Sequence, residues 1–594
     1  MSKPVKNDSV ERIDPALEHA LQRLGYSSFI GSQESCVRAV AEGEDVLALL
    51  PTGAGKSAIY QVASLAREGV GLVISPLIAI MQQQVETLQG LGIKAEFLNS
   101  TQNGAEQNDL YWRLRHNDVE ILYMSPEKLL QSSVMGLLED VPIACIAVDE
   151  AHCILRWGRN FRPEYAQLGC LKTVFPDAPI IALTGTLLPN KEQAIANALG
   201  LQSPRIVRES ISRPNIQLKV SQKKRAKQQL LSFLMKDAVA QPGIVYCRAR
   251  AKSEELASWL SSQGISATCY HASMNAESRE AAHQCFAKGK VQVLVATTAY
   301  GMGVDLDHVR FVVHMDLPLS LENYVQEVGR AGRDGRAAQA LLFYGLQDVM
   351  QTWQFVRQEQ MEDEFWRLMS CLEHTDCRQN VLLEAFSESP KEACGLCDRC
   401  RSTSKQHNVT IAAQKLLSLV HHTKGVVPFA ALIQALMGKR TKQVMNYRLE
   451  GHALFGTGAA LDEIQWKSVV RSLLAKGYLF IQGLTPFSVG LGEECRALLR
   501  SEVQLLTTTD WFYPALKDTQ EWVKPSGNWQ KLLQWSVTNR ASDYLTEKQL
   551  HAIFESNPTS IAALSRLTGL SKDILSKLNA SDLFNEQVSE KLDV

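Results

Sequence analysis

The sequence predicts an α/β protein in which two tandem parallel-sheet domains fill residues 1–345 and smaller helical modules follow. Three observations predict this. From residue 46, short β-branched runs (VLALLP, GLVISP, AEFLNS, VEILYMSP, ACIAVDE, PIIALTGT) alternate with longer helical stretches. A second series of the same kind begins after Pro214 (IQLKV, GIVYC, SATCYH, VQVLVAT, FVVHMD, QALLFY). Near-continuous apolar runs are what strands need when crossover helices cover both faces of their sheet. The alternation stops at about Tyr344, where the composition turns helical and four cysteines gather between 377 and 400.

Five segments are therefore expected. A first α/β domain spans 1–208 and a second spans 209–345, joined near 206–212. A cysteine-bearing module covers 346–404, a block of helices with a hairpin 405–507, and a C-terminal helical module 520–594.

At 594 residues the chain exceeds what one core can organise. With 45% hydrophobic and 21% charged residues it has an ordinary globular composition, which excludes extensive disorder. The opening MSKPVKNDSVERIDP lacks an apolar segment, and no run approaches the roughly 20 apolar residues that cross a bilayer. A cytoplasmic protein without membrane attachment is expected. Thirteen cysteines in so long a chain form no disulfide framework, and several, such as Cys145 and Cys247, stand inside apolar strand-like runs. The 62 basic and 63 acidic residues nearly cancel, so any case for a polyanionic partner must be local.

The first chemical motif follows the apolar run VLALL: Pro51-Thr52-Gly53-Ala54-Gly55-Lys56-Ser57, then the helix-compatible AIYQVASLA. Thr52, Gly53, Ala54 and Gly55 can fold their backbone N–H groups around phosphate oxygens. Lys56 neutralises the β and γ phosphates of ATP, and Ser57 can ligate Mg²⁺. The leading glycine of the fullest such pattern is absent, and a plain strand–turn–helix is the bland alternative. Some ninety residues on, the strand ACIAVDEAH ends in Asp149-Glu150-Ala151-His152. Two acids close an apolar strand poorly, but at the carboxyl edge of a parallel sheet they face ligands. There Asp149 can hold hydrated Mg²⁺, and Glu150 can orient and deprotonate the attacking water.

Near the end of the second series stands Gln326-Glu327-Val328-Gly329-Arg330-Ala331-Gly332-Arg333-Asp334-Gly335. If this stretch is helical, Arg330 and Arg333 share one face, and their guanidinium donors suit the charge that develops on a γ-phosphate. A solvated charged face is the alternative.

Taken together, Gln33, Thr52–Ser57, Asp149–His152, Thr184-Gly185-Thr186 and Gln326–Arg333 resemble the superfamily 2 helicases. Within them the chain resembles the RecQ family, through DEAHCILRWGRNFRPEY at 149–165, SPLIAIMQQQV at 75–85, Arg213-Pro214-Asn215-Ile216 and Tyr300-Gly301-Met302-Gly303. The likeness runs from about residue 20 to 500. It implies two RecA-like domains with ATP between them and 3′ to 5′ movement on single-stranded DNA. It also implies that Trp157 and Phe161 contact DNA, and Arg159 and Arg162 beside them are expected to bind it too. Sequence-tolerant stacking of bases on aromatic rings, at about 1–3 kcal/mol each, suits that role, and core packing is the alternative for Trp157.

Several positions depart from the family pattern. Leu24-Gly25-Tyr26 and Phe29 to Gln33 resemble its adenine-reading segment, in which Tyr26 and Gln33 would meet the base, but Ile30 stands where an arginine is usual. Weaker ATP affinity or relaxed base selectivity is expected. Leu155-Arg156 replaces Ser-Gln, Arg159-Asn160 replaces His-Asp, and Gly185 replaces the middle alanine of Thr-Ala-Thr. These changes should strengthen phosphate contact and alter the coupling of DNA binding to hydrolysis.

Cys377, Cys394, Cys397 and Cys400, with two tight C-x-x-C steps, suit a closed tetrahedral Zn²⁺ site of structural character. A redox pair or an iron–sulfur cluster are the competitors. The spacing also resembles the RecQ zinc module, with CRQNVLLEAF as the helix bearing the first ligand.

Residues 408–505 read as three helices and a hairpin, resembling the winged helix of RecQ proteins, a duplex-binding domain. The hairpin is expected at 480–492 with Phe487 near its tip, as a wedge between base pairs or as a structural residue. Residues 526–594 distantly resemble an HRDC module, which binds nucleic acid, and a protein-binding role is the alternative. The expected activity is an ATP- and Mg²⁺-dependent 3′ to 5′ DNA helicase of repair and recombination. It would act on single-stranded and branched duplex DNA near the nucleoid, with a single-strand-binding protein as candidate partner. An RNA helicase and an ATP-gated DNA-binding scaffold are the alternatives.

Overall fold

The computed structural model describes residues 14–580 apart from 52, 77, 100–101, 156–163, 186, 302–305, 403–405, 485–486, 509–531, 533–534, 536–543, 546, 557 and 559. The chain divides into two compact units. The first comprises Met1–Ser212 with Met302–Asp305 and Phe386–Glu388, and the second the remainder.

In the first unit the strands are β1 (Val46–Leu49), β2 (Val70–Ile74), β3 (Ala95–Leu98), β4 (Ile121–Met124), β5 (Ile143–Val148), β6 (Ile180–Thr184) and β7 (Arg205–Arg208). They form one seven-stranded sheet in the order β3-β4-β2-β5-β6-β1-β7, with every pairing parallel. Successive side chains of a strand point to opposite faces, and here both faces are filled. Leu47, Leu49, Ile146 and Val148 lie in one buried cluster, while Val46, Ala48, Cys145 and Ala147 lie in the other. Each fully buried aliphatic side chain contributes about 1.5–3 kcal/mol, so central strands of this sheet have no position at which a polar residue is cheap. The edge strand β7 escapes that rule. Arg205 and Ile206 are exposed and only Val207 is buried, which is why its RIVR sequence gives no apolar run.

The second unit begins with β8 (Ile216–Gln222), β9 (Gly243–Tyr246), β10 (Ala267–Tyr270), β11 (Val293–Ala296), β12 (Phe311–His314) and β13 (Ala338–Tyr344). These form a six-stranded parallel sheet in the order β10-β11-β9-β12-β13-β8.

Three helices follow, Leu346–Gln358, Glu362–Glu373 and Arg378–Ala385. A buried polar junction joins them to the next block. Glu373 accepts a hydrogen bond from the Tyr344 hydroxyl at 2.5 Å and one from Ser472 Oγ at 3.1 Å, and it pairs with Arg471, which is fully buried. The Arg471 guanidinium also lies over the Tyr344 ring. Removing either member of such a pair strands a buried charge at about 3–5 kcal/mol, so the junction fixes this block to the end of β13.

That block is a winged helix. Helices Thr410–His422, Phe429–Leu436 and Glu463–Ala475 precede the antiparallel hairpin β15 (Leu479–Leu484) and β16 (Phe487–Leu491). Strands β14 (Gln406–Asn408) and β17 (Leu506–Thr508) pair to close its two ends. Phe487 pairs with Leu484 at the hairpin tip and is half-buried.

The C-terminal helices Glu547–Ser556, Ile561–Thr568 and Lys572–Lys577 do not close a core among themselves alone. Leu550, Ile553, Leu564 and Leu575 share one with Leu532, Trp535 and, from the second sheet domain, Val239 and Ala240. No helix among the described residues is long and apolar enough to cross a membrane.

Candidate ATPase site and metal centre

The phosphate-loop motif lies between β1 and the helix Lys56–Ala66, at the carboxyl edge of the first sheet. Gly53 and Gly55 have φ of 91° and 68°, values that L side chains rarely adopt. Lys56 folds back on its own loop, where Nζ donates to the carbonyls of Leu50 at 3.2 Å and Pro51 at 3.5 Å. Ser57, the second residue of that helix, is half-buried. Gln33 is buried against the same loop. Its Nε2 donates to the carbonyls of Ala54 (3.0 Å) and Gly55 (3.2 Å), and its Oε1 accepts the Ile30 N–H at 2.9 Å. A Cβ at Gly55 would stand 2.4 Å from that Nε2, so the glycine also admits the amide. The Gln33 amide thus holds the phosphate loop from the start of its helix. Tyr26 and Ile30 are exposed beside it.

Asp149 and Glu150 follow β5 at the same edge. The Asp149 carboxyl is buried, and burial first and the Glu150 charge second push it up to about 7, against the pull of Lys56. Glu150 adopts a left-handed φ of 49°, a conformation that costs a side-chain-bearing residue about 1–3 kcal/mol. Its N–H donates to Asp149 Oδ1 at 2.9 Å, and its carbonyl accepts from the Cys153 N–H at 2.8 Å. His152 Nδ1 lies 2.9 Å from Thr184 Oγ1 and 3.3 Å from Glu150 Oε2. A polar chain thus runs from the end of β6 through His152 to Glu150. These contacts hold the Glu150 carboxylate in a fixed place.

The arginine pair in the second unit corrects the helical expectation. The helix Leu321–Val328 stops before Gly329, and Arg330 and Arg333 lie on the turns that follow it. The cause is tertiary. Arg213 donates Nη1 to the Gly329 carbonyl (2.9 Å) and Nη2 to those of Ala331 (2.9 Å) and Gly332 (2.8 Å), while Asn215 Nδ2 takes those of Gly332 (2.7 Å) and Arg336 (2.8 Å). These bonds tie the stretch to the segment before β8, and Gly332 turns the chain at a φ of 59°. Arg330 is buried against the Tyr246 hydroxyl, and its Nε has no hydrogen-bond partner among the described residues. Gly301 makes room for it, since a Cβ there would stand 2.9 Å from Arg330 Nη2.

Cys377, Cys394, Cys397 and Cys400 bring their four sulfurs within 4.8 Å of one another. Two separations are 3.5 Å (Cys397 to Cys400) and 3.8 Å (Cys394 to Cys400). Tetrahedral zinc with Zn–S bonds of about 2.3 Å sets its sulfurs about 3.8 Å apart, so the donor set fits. Backbone N–H groups of Cys394, Cys397 and Cys400 point at the sulfurs of Cys377, Cys394 and Cys397, at 3.3 to 3.4 Å. Burial opposes ionisation of Cys377, but the backbone N–H groups of Cys394 and Asn380 and the neighbouring thiols of Cys394 and Cys400 bring its pKa down to about 7. The helix expected to carry the first ligand starts at Arg378, immediately after it. Asp398, inside the motif, pairs with Arg378 at 2.5 and 2.9 Å and accepts the Val220 N–H of β8 at 3.1 Å, tying the cluster to the second sheet.

The first unit thus gathers Gln33, Gly53 to Ser57, Asp149, Glu150 and the unforeseen His152–Thr184 pair on one sheet edge. Arg330 and Arg333 belong to the second unit. Thr52, Trp157, Arg159, Phe161 and Arg162 lie outside the described residues. Sequence reasoning named the Arg213–Asn215 motif without its purpose, because the turn it holds is more than a hundred residues away.

Comparison with known families matches residues 31–194 to the DEAD/DEAH box helicase and 225–335 to the helicase conserved C-terminal domain. Residues 346–401 match the RecQ zinc-binding model and 403–511 the RQC domain. The ATP-dependent DNA helicase RecQ of Pasteurella multocida is 39% identical over 491 residues, covering 81% of this chain and 77% of that protein. That of Haemophilus influenzae is 37% identical over 514 residues, covering 85% and 83%. Among solved structures, Mycobacterium smegmatis helicase Lhr bound to ssDNA and AMP-PNP aligns at a TM-score of 0.49 with 18% identity, over 83% of this chain and 62% of that one. With these four family models matched in succession along residues 31–511, and two relatives 37–39% identical over more than three quarters of each chain, the chain belongs to the RecQ family of helicases.

Proposed function

We propose that the protein is an ATP- and Mg²⁺-dependent DNA helicase that moves 3′ to 5′ along single-stranded DNA and separates branched or tailed duplexes in repair and recombination. The observation that carries this is the placement of Lys56, Ser57, Asp149, Glu150 and His152 together at the carboxyl edge of the first sheet, in a chain of the RecQ family. Lys56 leaves the carbonyls of Leu50 and Pro51 for the β and γ phosphates. Ser57 and Asp149 would hold Mg²⁺, which supplies positive charge to those phosphates when bound. Glu150 orients the attacking water and accepts its proton, with His152 fixing the carboxylate. Arg330 and Arg333 stabilise charge on the transferred phosphoryl group. Trp157 and Phe161 are assigned to base stacking, and Arg159 and Arg162 to DNA phosphates. The four cysteines hold a structural Zn²⁺, and a single-strand-binding protein is an expected partner in the cytoplasm.

The test is unwinding of a 3′-tailed duplex by the purified protein and by Lys56→Ala. Wild-type unwinding that the substitution abolishes is expected, and equal activity of the two overturns the assignment. Stimulation of ATP hydrolysis by single-stranded DNA over RNA separates this function from an RNA helicase. Hydrolysis stimulated by DNA without strand separation would favour the scaffold alternative.

A further inference from the structure

The turn Phe386–Glu388, which leads toward the cysteine cluster in sequence, belongs to the first unit. Its contacts show why. The Glu388 carboxylate accepts the Ser210 hydroxyl at 2.5 Å and the Ile211 N–H at 2.9 Å, so both oxygens hold the segment that leaves β7. One residue earlier, the Glu209 N–H donates to the Leu49 carbonyl at 3.0 Å, at the end of the strand that enters the phosphate loop. The Glu209 side chain accepts the Ser32 N–H at 2.6 Å. The helix Gln33–Ala41 has no cap from its own Ser32 side chain, so a carboxylate 177 residues away serves its N-terminus, where negative charge is favourable. Gly31 is shaped for this contact, with a φ of 56° and a Cβ position only 2.3 Å from Glu209 Oε1. Gln33, the first residue of that helix, in turn holds the carbonyls of Ala54 and Gly55.

We propose that Glu209 and Glu388 are positioning residues for nucleotide binding. They act through the Ser32–Gln33 helix end on the phosphate loop, and so link nucleotide affinity to the turn before the cysteine cluster. This rests on the ATPase function proposed above. Among the described residues, neither carboxylate hydrogen-bonds a residue of the phosphate loop, so their loss changes how well the loop is held and not the chemistry of hydrolysis.

The test uses the full-length protein and single-stranded-DNA-stimulated ATP hydrolysis, with zinc content and melting temperature measured for each variant. Glu209→Ala is expected to raise KM for ATP about tenfold with kcat within about twofold, the scale of one lost charge-assisted hydrogen bond. Glu209→Gln keeps an acceptor oxygen and should restore most of the affinity. Glu388→Ala should raise KM about threefold. The double alanine variant should be no worse than Glu209→Ala alone, because both act along one path. Unchanged KM, a change confined to kcat, or fully multiplicative effects of the two substitutions each overturn the proposal while leaving the ATPase function intact. A wild-type protein that does not hydrolyse ATP with DNA present overturns that function and this inference with it. If Glu209→Ala fails to fold, Glu388→Ala decides, and an unchanged KM in it overturns the proposal.

Discussion

The two sheet domains hold the cations proposed to act on ATP, Lys56 in one and Arg330 with Arg333 in the other, in opposite ways. Lys56 is held by carbonyls five and six residues away in its own loop. Arg330 and Arg333 ride on a turn that Arg213 and Asn215 grip from 116 to 121 residues away. A group positioned by its neighbours in sequence depends on local backbone geometry. One positioned from afar depends on whether the second domain is fully packed.

Substitutions can break or sharpen this contrast. The largest effect is expected from Arg330→Ala, which should lower kcat for DNA-stimulated ATP hydrolysis by about 10³-fold or more, the range of arginines that stabilise phosphoryl transfer. A loss under tenfold in steady-state assays would remove Arg330 from the reaction. Glu150→Gln comes next, with kcat down by about 10²- to 10³-fold, the scale of a lost general base, and ATP binding retained in a nucleotide titration. Arg213→Lys sharpens the comparison most directly. A single ammonium cannot reproduce the fork that spans the carbonyls of Gly329, Ala331 and Gly332, so kcat should fall by about 10-fold although residue 213 is given no contact with ATP. Should Arg213→Lys behave as wild type, the turn is held by its own sequence after all. Smallest is Gly332→Ala. Its left-handed φ and the 2.5 Å approach of Asn215 Nδ2 to a Cβ predict a loss of about 1–2 kcal/mol, read as a lowered melting temperature.

The same contrast explains what was legible in the sequence. Both sheets could be read because their central strands are buried on two faces and must be apolar throughout, whereas β7, with Arg205 and Ile206 exposed, could not. The phosphate loop and the Asp149–Glu150 pair are contiguous strings whose geometry is local. Arg330 and Arg333 were visible as residues but their spacing suggested a helix, and the clamp that holds the turn is a tertiary fact. Glu209 and Glu388 gave no signal, since an isolated acid in a polar stretch looks the same whether it faces solvent or caps a distant helix. Gln33 was read as a partner for adenine, and its grip on the phosphate loop, made by a side chain 21 and 22 residues away, had no signal in the sequence.

The apolar core that the last helices share with Val239 and Ala240 has a practical corollary. A shortened version ending after the winged helix would leave those two residues, and the partly buried Met235 beside them, facing water without a cover. Bare apolar surface of this kind promotes self-association. Low yield or aggregation of such a truncation would then report a stripped interface on the second sheet domain, and lost activity in it would say little about whether the final helices bind DNA.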